Sequence, residues 1–301
     1  MIRRTFLTLP ALAAARPAPA TPPAGAPGYK LSVRVEPVFK HMALPEQMRK
    51  VAEARFHAYE FGDWRAADPT AIVALQKKLG IECACIVGNK GVNPKGMTLT
   101  RPEDREGFLA EIKASTEAAK RFETTKIVVL TGNEVPDVPR ERQYRSIVEG
   151  LKRAQEIVAP AGVTMIMEVL NTLVDHKGYY LNRTAEAFDI VRDVGSPNLK
   201  ILFDIYHVQI MEGNLISTIR KNIAAIGHFH VGDVPGRHEP GTGEIDYGNV
   251  FKAIQGTGFT GFVAMEYNPS KPKFRRNLGS TPLIRRGIAQ NSLSGYWQRV
   301  E

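Results

Sequence analysis

Glu168, Asp204, His230 and Glu266 each sit at the end of a short apolar run, in "VTMIME", "LKILFD", "GHFH" and "GFVAME". They lie 36, 26 and 36 residues apart, the interval of successive strand-plus-helix units rather than of one helix or one hairpin. Four polar groups in the same phase of four such units converge when the strands are laid side by side. Three carboxylates pushed together repel one another, and without a cation at least one must stay protonated. A divalent metal resolves this, and oxygen donors plus one imidazole suit Mn2+, Mg2+ or Co2+, with Zn2+ also compatible. Taken singly, each residue has a plainer reading, because an acidic residue after a strand is most often a helix N-cap or a loop residue. The set, not its members, carries the expectation of a metal site.

Further polar residues surround these four. Asn171 follows Glu168 in "EVLN", His207 follows Asp204 in "DIYH", and His228 stands two residues before His230. On a strand, i and i+2 share a face, so His228 is expected one layer deeper than His230, as a structural or supporting group. Asp233, Arg237 and His238 fall in the next loop, and Glu36 and Glu60 are read as ending the first two strands and facing the same mouth. The stretch "GHFHVGDVPGRHEPGTGEID" from Gly227 to Asp246 is rich in both glycine and charge. No Gly-x-Gly-x-x-Gly follows the first strand and no Walker-type lysine loop occurs, which argues against a phosphate cradle.

The elements that must position these groups alternate regularly. Strand candidates are "KLSVRVE" near 30–36, "HAYEF" near 57–61, "IECACIV" near 81–87 and "KIVVLTG" near 126–132. They continue with "VTMIMEV" near 163–169, "LKILFDI" near 199–205, "IGHFHV" near 226–231 and "GFVAMEY" near 261–267. Between them lie segments such as "DREGFLAEIKASTEAAKRF" and "RERQYRSIVEGLKRAQEIVAPAG", with apolar residues at helical spacing. Gly80, Gly162, Gly195, Gly227 and Gly258 are read as left-handed residues that end helices before the next strand. Eight βα units favour an α/β fold of the closed (β/α)8 TIM-barrel type in a single domain over an open doubly wound sheet. In such a barrel chemistry gathers at the C-terminal ends of the strands, where the four residues lie.

Composition bounds the rest. A chain of 301 residues that is 43% hydrophobic is long enough for one large domain or two small ones. The net charge of +9 raises the question of nucleic acid, but no dense Lys/Arg run with interleaved aromatics occurs, so a basic solvated surface is expected and no nucleic-acid partner. Residues 1–28 have twin arginines at Arg3 and Arg4, then an apolar run, then alanines and prolines. This is the layout of a twin-arginine export signal followed by a linker, with the barrel at 29–301. The run Phe6–Ala15 is too short to span a bilayer, so no stable membrane insertion is expected. A periplasmic or otherwise exported location follows, or a cytoplasmic one if the segment is only a tail. Cys83 and Cys85 are read as sharing one strand face, too close for an unstrained disulfide and therefore as buried small side chains. Assembly into a homo-oligomer stays open.

At these residues the chain resembles the xylose-isomerase-like barrel superfamily, and within it the hydroxypyruvate isomerase family. The resemblance runs from about residue 30 to 270 and is most specific in "GHFHVGDVPGRHEPGTGEIDYGNVFKAI", supported in order by "MEVLN", "LFDIYHVQIMEGN" and "AMEYNP". It implies a barrel that binds one divalent cation through Glu168, Asp204, His230 and Glu266. It further implies isomerisation of a small hydroxy-carbonyl compound through a cis-enediolate, with Glu168 and Glu266 as the acid/base pair and His207 and Arg237 holding the substrate. For hydroxypyruvate the product is tartronate semialdehyde. The family commonly has Gln at the strand-seven position, whereas His230 matches the related ketose 3-epimerases, for which the product is the 3-epimer. An AP-endonuclease-like nuclease would need more metal ligands and a basic DNA-binding surface, and a non-catalytic carbohydrate-binding barrel would not need an intact ligand set.

Overall fold

The structure is a computed structural model that describes residues 28–270. The export segment read at 1–28 lies outside the described residues but for its last one. Eight strands form the sheet: β1 Lys30–Arg34, β2 Ala58–Phe61, β3 Glu82–Val87, β4 Lys126–Val129, β5 Thr164–Glu168, β6 Leu199–Asp204, β7 Ile226–Val231 and β8 Phe262–Met265. They run parallel in sequence order and close by pairing β1 with β8. The α-helices of the described residues are α1 Val35–Val38, α2 Leu44–Glu53, α3 Pro69–Leu79, α4 Arg105–Arg121, α5 Arg140–Val158, α6 Thr184–Val194, α7 Ile205–Met211, α8 Leu215–Asn222 and α9 Tyr247–Gly256. The closed barrel expected from the alternation is therefore present, and the open sheet is not.

Local sequence accounts for the helices. In α5, Ile147, Leu151, Ala154 and Val158 recur every three or four residues and are fully buried. Each such Ile, Leu or Val is worth roughly 1.5–3 kcal/mol of apolar burial, so the stripe fixes which face meets the sheet. Asp68 caps α3 by accepting from Thr70 N at 3.0 Å, and Gly80 ends the helix at φ 67°. Gly162, Gly195 and Gly258 are also left-handed, as expected.

Gly227 is not. It lies inside β7, where the register with β6 slips between Ile201↔Ile226 and Leu202↔His228. A Cβ there would sit 2.7 Å from the Lys200 Cβ, so this glycine allows the close approach of a bulge rather than a helix cap. A second slip, in β2–β3 between Tyr59↔Cys83 and Phe61↔Ile86, corrects the reading of the cysteines. Cys83 packs in the main core between sheet and helices, while Cys85 joins Val128, Ile166 and Leu202 in a separate buried cluster inside the barrel. Both thiols are free. Two further differences concern strand ends: β1 stops at Arg34 because α1 begins at Val35, and β6 stops at Asp204 because α7 begins at Ile205.

Candidate active site

The last inward-facing positions of β5, β6 and β7, and the residue just after β8, supply Glu168, Asp204, His230 and Glu266. Register explains why they meet: Asp204 pairs with His230, and Glu168 is beside Leu202, two residues before Asp204 on the same face of β6. One ligand atom from each of the four lies within 4.8 Å of the others. His230 Nδ1 is 2.6 Å from Glu266 Oε2, 3.4 Å from Glu168 Oε1 and 4.0 Å from Asp204 Oδ2. The four residues singled out from the sequence thus form one cluster, all of them buried or nearly so.

Asp204 satisfies both of its readings. Its Oδ1 caps α7, accepting from Tyr206 N at 2.9 Å and His207 N at 3.4 Å, while its Oδ2 faces the cluster. The cap orients the carboxylate, and the second oxygen is left for chemistry.

Arg237 changes the charge argument. Its Nη2 donates to Asp204 Oδ2 at 2.6 Å and to Glu266 Oε2 at 2.7 Å. Part of the neutralisation that the sequence assigned to a metal therefore comes from the chain itself. Burial raises the Asp204 carboxyl above its ordinary range, against the pull of Arg237. Burial also acts to raise Glu266, but Arg237 and His230 hold it well below that range. Arg34 adds to the same field. It is a largely buried guanidinium whose tendency to lose charge on burial is outweighed by Glu36, Glu266 and Glu60.

The loop that delivers Arg237 is organised by Asp233, which is fully buried. Its Oδ2 accepts from Gly241 N at 2.7 Å and Gly243 N at 3.0 Å, and its Oδ1 from Val234 N at 2.9 Å and Ile245 N at 3.2 Å. A Cβ on Gly243 would fall 2.0 Å from the Val234 carbonyl oxygen, so only glycine fits under this clasp. Of the three polar loop residues noted in the sequence, only Arg237 reaches the cluster. Asp233 folds the loop, and His238 is turned to the Asn268 carbonyl at 2.8 Å.

His207 sits beside the cluster with its protonation defined by neighbours. Asn171 Oδ1 accepts from Val174 N at 3.0 Å and Asp175 N at 3.1 Å, which fixes the amide's orientation. Its Nδ2 then donates to Asp175 Oδ2 at 2.8 Å and to His207 Nδ1 at 2.7 Å. Nδ1 accordingly carries the lone pair and Nε2 the hydrogen. Burial and Arg237 push the His207 imidazole down to about 3, so the ring is neutral. Nε2–H and Arg237 Nη1 are 3.1 Å apart, and Asp204 Oδ2 lies 3.4 Å from the same Nε2 and 2.6 Å from Arg237 Nη2. A substrate oxygen placed between His207 and Arg237 would accept from both donors.

Below this layer, Glu60 of β2 is fully buried and bonded to both His228 and His230. His228 is thus one layer deeper, as expected, but Glu60 is beneath the mouth rather than at it. Glu36 is in the first turn of α1, paired with Arg34 at 3.1 Å and accepting from the Gly62 amide. Sequence reasoning missed Arg34, Ser32 and Cys85. The alternation of "KLSVRVE" places Ser32 and Arg34 in one phase with Glu36, and that shared phase is the signal for them.

The cluster fits a divalent cation on two grounds. Three carboxylates and an imidazole are a hard-to-borderline donor set. His230 Nδ1, buried and aimed among the carboxylates, has no hydrogen-bond partner of acceptable geometry. A buried acceptor without a partner costs about 1–3 kcal/mol unless a ligand takes its lone pair.

Sequence and fold comparison place the chain. It belongs to the xylose isomerase-like TIM barrel family, whose model matches residues 48–286. The hydroxypyruvate isomerase of Escherichia coli strain K12 is 34% identical over 217 residues, 72% of this chain and 73% of that protein. A 2-oxo-tetronate isomerase of Cupriavidus necator is 36% identical over 168 residues, 56% of this chain, and the alignment spans 64% of that relative's length. Among solved structures, an AP endonuclease, family 2, from Brucella melitensis superposes with a TM-score of 0.73 at 26% identity, covering 82% of this chain and 95% of that one. By its relatives' names the chain falls in the isomerase class. No helix among the described residues is long and apolar enough to cross a membrane.

Proposed function

We propose that this protein is a metal-dependent isomerase that interconverts hydroxypyruvate and tartronate semialdehyde through a cis-enediolate. The observation that carries the reading is the convergence of Glu168 and Glu266 on His230 Nδ1 beside the paired donors of His207 and Arg237. Glu168, Asp204, His230 and Glu266 would hold the cation, Mn2+, Mg2+ or Co2+ before Zn2+. Bound there, it would supply Lewis-acid polarisation of adjacent carbonyl and hydroxyl oxygens.

The chain's own residues do the rest. One of Glu168 and Glu266 removes the proton from the hydroxyl-bearing carbon, a carboxyl of the pair returns a proton to the neighbouring carbon, and the hydroxyl proton passes to the former carbonyl oxygen, so that hydroxyl and carbonyl exchange places. Arg237 donates its fork to the substrate carboxylate or a hydroxyl oxygen, and His207 Nε2–H donates to the same region. Arg237 engages Asp204 and Glu266 at once, so it also restrains two of the carboxylates it faces.

His230 favours a second reading, a ketose 3-epimerase, because the related epimerases carry His at the strand-seven position where hydroxypyruvate isomerases commonly carry Gln. The two readings share the proton chemistry and differ in what fills the mouth. Metal-loaded protein in deuterium oxide, offered hydroxypyruvate and then a ketose panel, separates them by NMR. Exchange and isomerisation of hydroxypyruvate are expected, and lost after EDTA. Turnover confined to ketoses would replace the first reading with the second, and activity that survives exhaustive chelation would remove the metal from both. Export of the mature barrel through the twin-arginine segment is part of the proposal. Fractionation of cells that express the full chain tests it, with the protein expected outside the cytoplasm and retained there in an Arg3→Lys, Arg4→Lys variant.

A further inference from the structure

Glu60 accepts four hydrogen bonds inside the barrel, two on each oxygen. Ser32 Oγ at 3.2 Å and His228 Nε2 at 3.2 Å meet Oε1, while Cys85 Sγ at 3.1 Å and His230 Nε2 at 2.9 Å meet Oε2. A carboxylate has about four lone-pair sites, so this one is saturated by protein donors. The partners are donors of necessity. Burial and the nearby Glu60 charge raise the Cys85 thiol well above its ordinary range, so the sulfur keeps its hydrogen. With two donors already directed at each of its oxygens, Glu60 has no acceptor in reach and nothing to donate to. Each imidazole must therefore carry hydrogen on Nε2. When the His230 ring is neutral, as a metal ligand must be, that leaves the Nδ1 lone pair directed at the three carboxylates, where Nδ1 has no hydrogen-bond partner within the protein.

We infer that Glu60 is a positioning residue for the metal: its saturated carboxylate locks His230 in the tautomer and ring orientation that present Nδ1 to a divalent cation. The inference rests on the reading that Glu168, Asp204, His230 and Glu266 hold that cation. Glu60 does not ligate the metal itself, because its four lone pairs are spent on Ser32, Cys85, His228 and His230. The carboxylate–histidine pair also raises the basicity of the ligating nitrogen, and loss of such an outer partner costs metal affinity by about 10–100-fold.

The test is a two-by-two cycle of wild type, Glu60→Gln, His230→Gln and the double variant, read by titration with Co2+ or Mn2+ in calorimetry and by the visible spectrum of bound Co2+. Wild type is expected to bind one equivalent. Glu60→Gln is expected to bind about 10–100-fold more weakly with an altered Co2+ spectrum, since its amide hydrogens confront the Nε2 donors. In the His230→Gln background, adding Glu60→Gln is expected to change affinity by less than about threefold, because the ring it acts through is gone. Thermal melts of the metal-free proteins identify any variant that fails to fold. For that case, 15N-histidine NMR on wild type loaded with diamagnetic Mg2+ reads the same point, with hydrogen on Nε2 of His230 expected.

The failures are distinguishable. No ion bound by wild type sinks the metal reading and this inference with it. An ion bound equally well by wild type and Glu60→Gln, or the same loss with and without His230, leaves the metal site standing and overturns the inference. A second equivalent bound through Glu60, Cys85 and His228, or hydrogen on Nδ1 of His230, overturns it as well.

Discussion

The barrel interior holds two polar layers of opposite character a few ångströms apart. In the upper layer, at the strand ends, three carboxylates and one imidazole converge, and a buried acceptor nitrogen has no hydrogen-bond partner. In the layer beneath, Glu60 has a donor for every lone pair. The upper layer is held together by a cation from a loop, Arg237, and the lower one by side chains on the strands themselves. The saturated Glu60 carboxylate has nothing left to bind and serves as a jig, while the unsaturated groups above it are available for ligands. Both layers are needed, because the unsaturated groups keep their aim only if something satisfied holds them.

This contrast is open to direct attack. Glu266→Gln keeps the shape of the upper layer and removes a proton carrier, so substrate deuterium exchange should fall by about 100- to 10,000-fold with the fold intact. A variant with undiminished exchange would move the acid/base role off the strand ends. Arg237→Lys keeps a charge but loses the fork, and kcat/KM should drop by about 10–100-fold, mostly in KM. Equal falls in kcat and kcat/KM would instead make Arg237 a group used only in the transition state.

A third measurement concerns His207, which links the upper layer to the β5–α6 loop through Asn171. The folded ring titrates at about 3 against an ordinary 6.5. Between those values the unfolded chain takes up a proton that the folded one refuses, so stability falls as pH drops through that window, by up to about 1.4 kcal/mol per pH unit. Above it, neither state is protonated and the contribution is flat. Urea melts of the metal-free protein at successive pH values should show a shallower acid loss in His207→Asn than in wild type. The smallest effect is expected in the saturated layer. Cys85→Ser replaces one donor on Glu60 by another and should shift stability by less than about 1 kcal/mol, and turnover by less than about twofold. A large loss of activity there would show that the lower layer is more than a jig.

Much of this was legible in the chain. The phase of "VTMIME", "LKILFD", "GHFH" and "GFVAME" is a local property, and phase alone brings the four ends together once the strands are parallel and in order. His228 one layer below His230 follows from the same period of two. The misreadings arose where that period breaks. Bulges at β3 and β7 depend on which strand lies alongside, so the faces of Cys83 and Cys85 and the role of Gly227 could not be read from alternation. Glu36 was misplaced because β1 gives way to α1 two residues earlier than its apolar run suggests.

The sequence by itself determined the barrel, the four converging strand ends and the loop that bears Arg237, because periodicity and order are written along the chain. Only the tertiary structure decided that Arg237 bridges Asp204 and Glu266, and that Asn171 sets the hydrogen on His207. The same holds for the bonds from Glu60 to His228 and His230, which lie 168 and 170 residues along the chain. Hydrogen bonds and ion pairs act over a few ångströms between groups that no local pattern relates. Which donor finds which acceptor is settled only when closure of the barrel brings β2 across from β7.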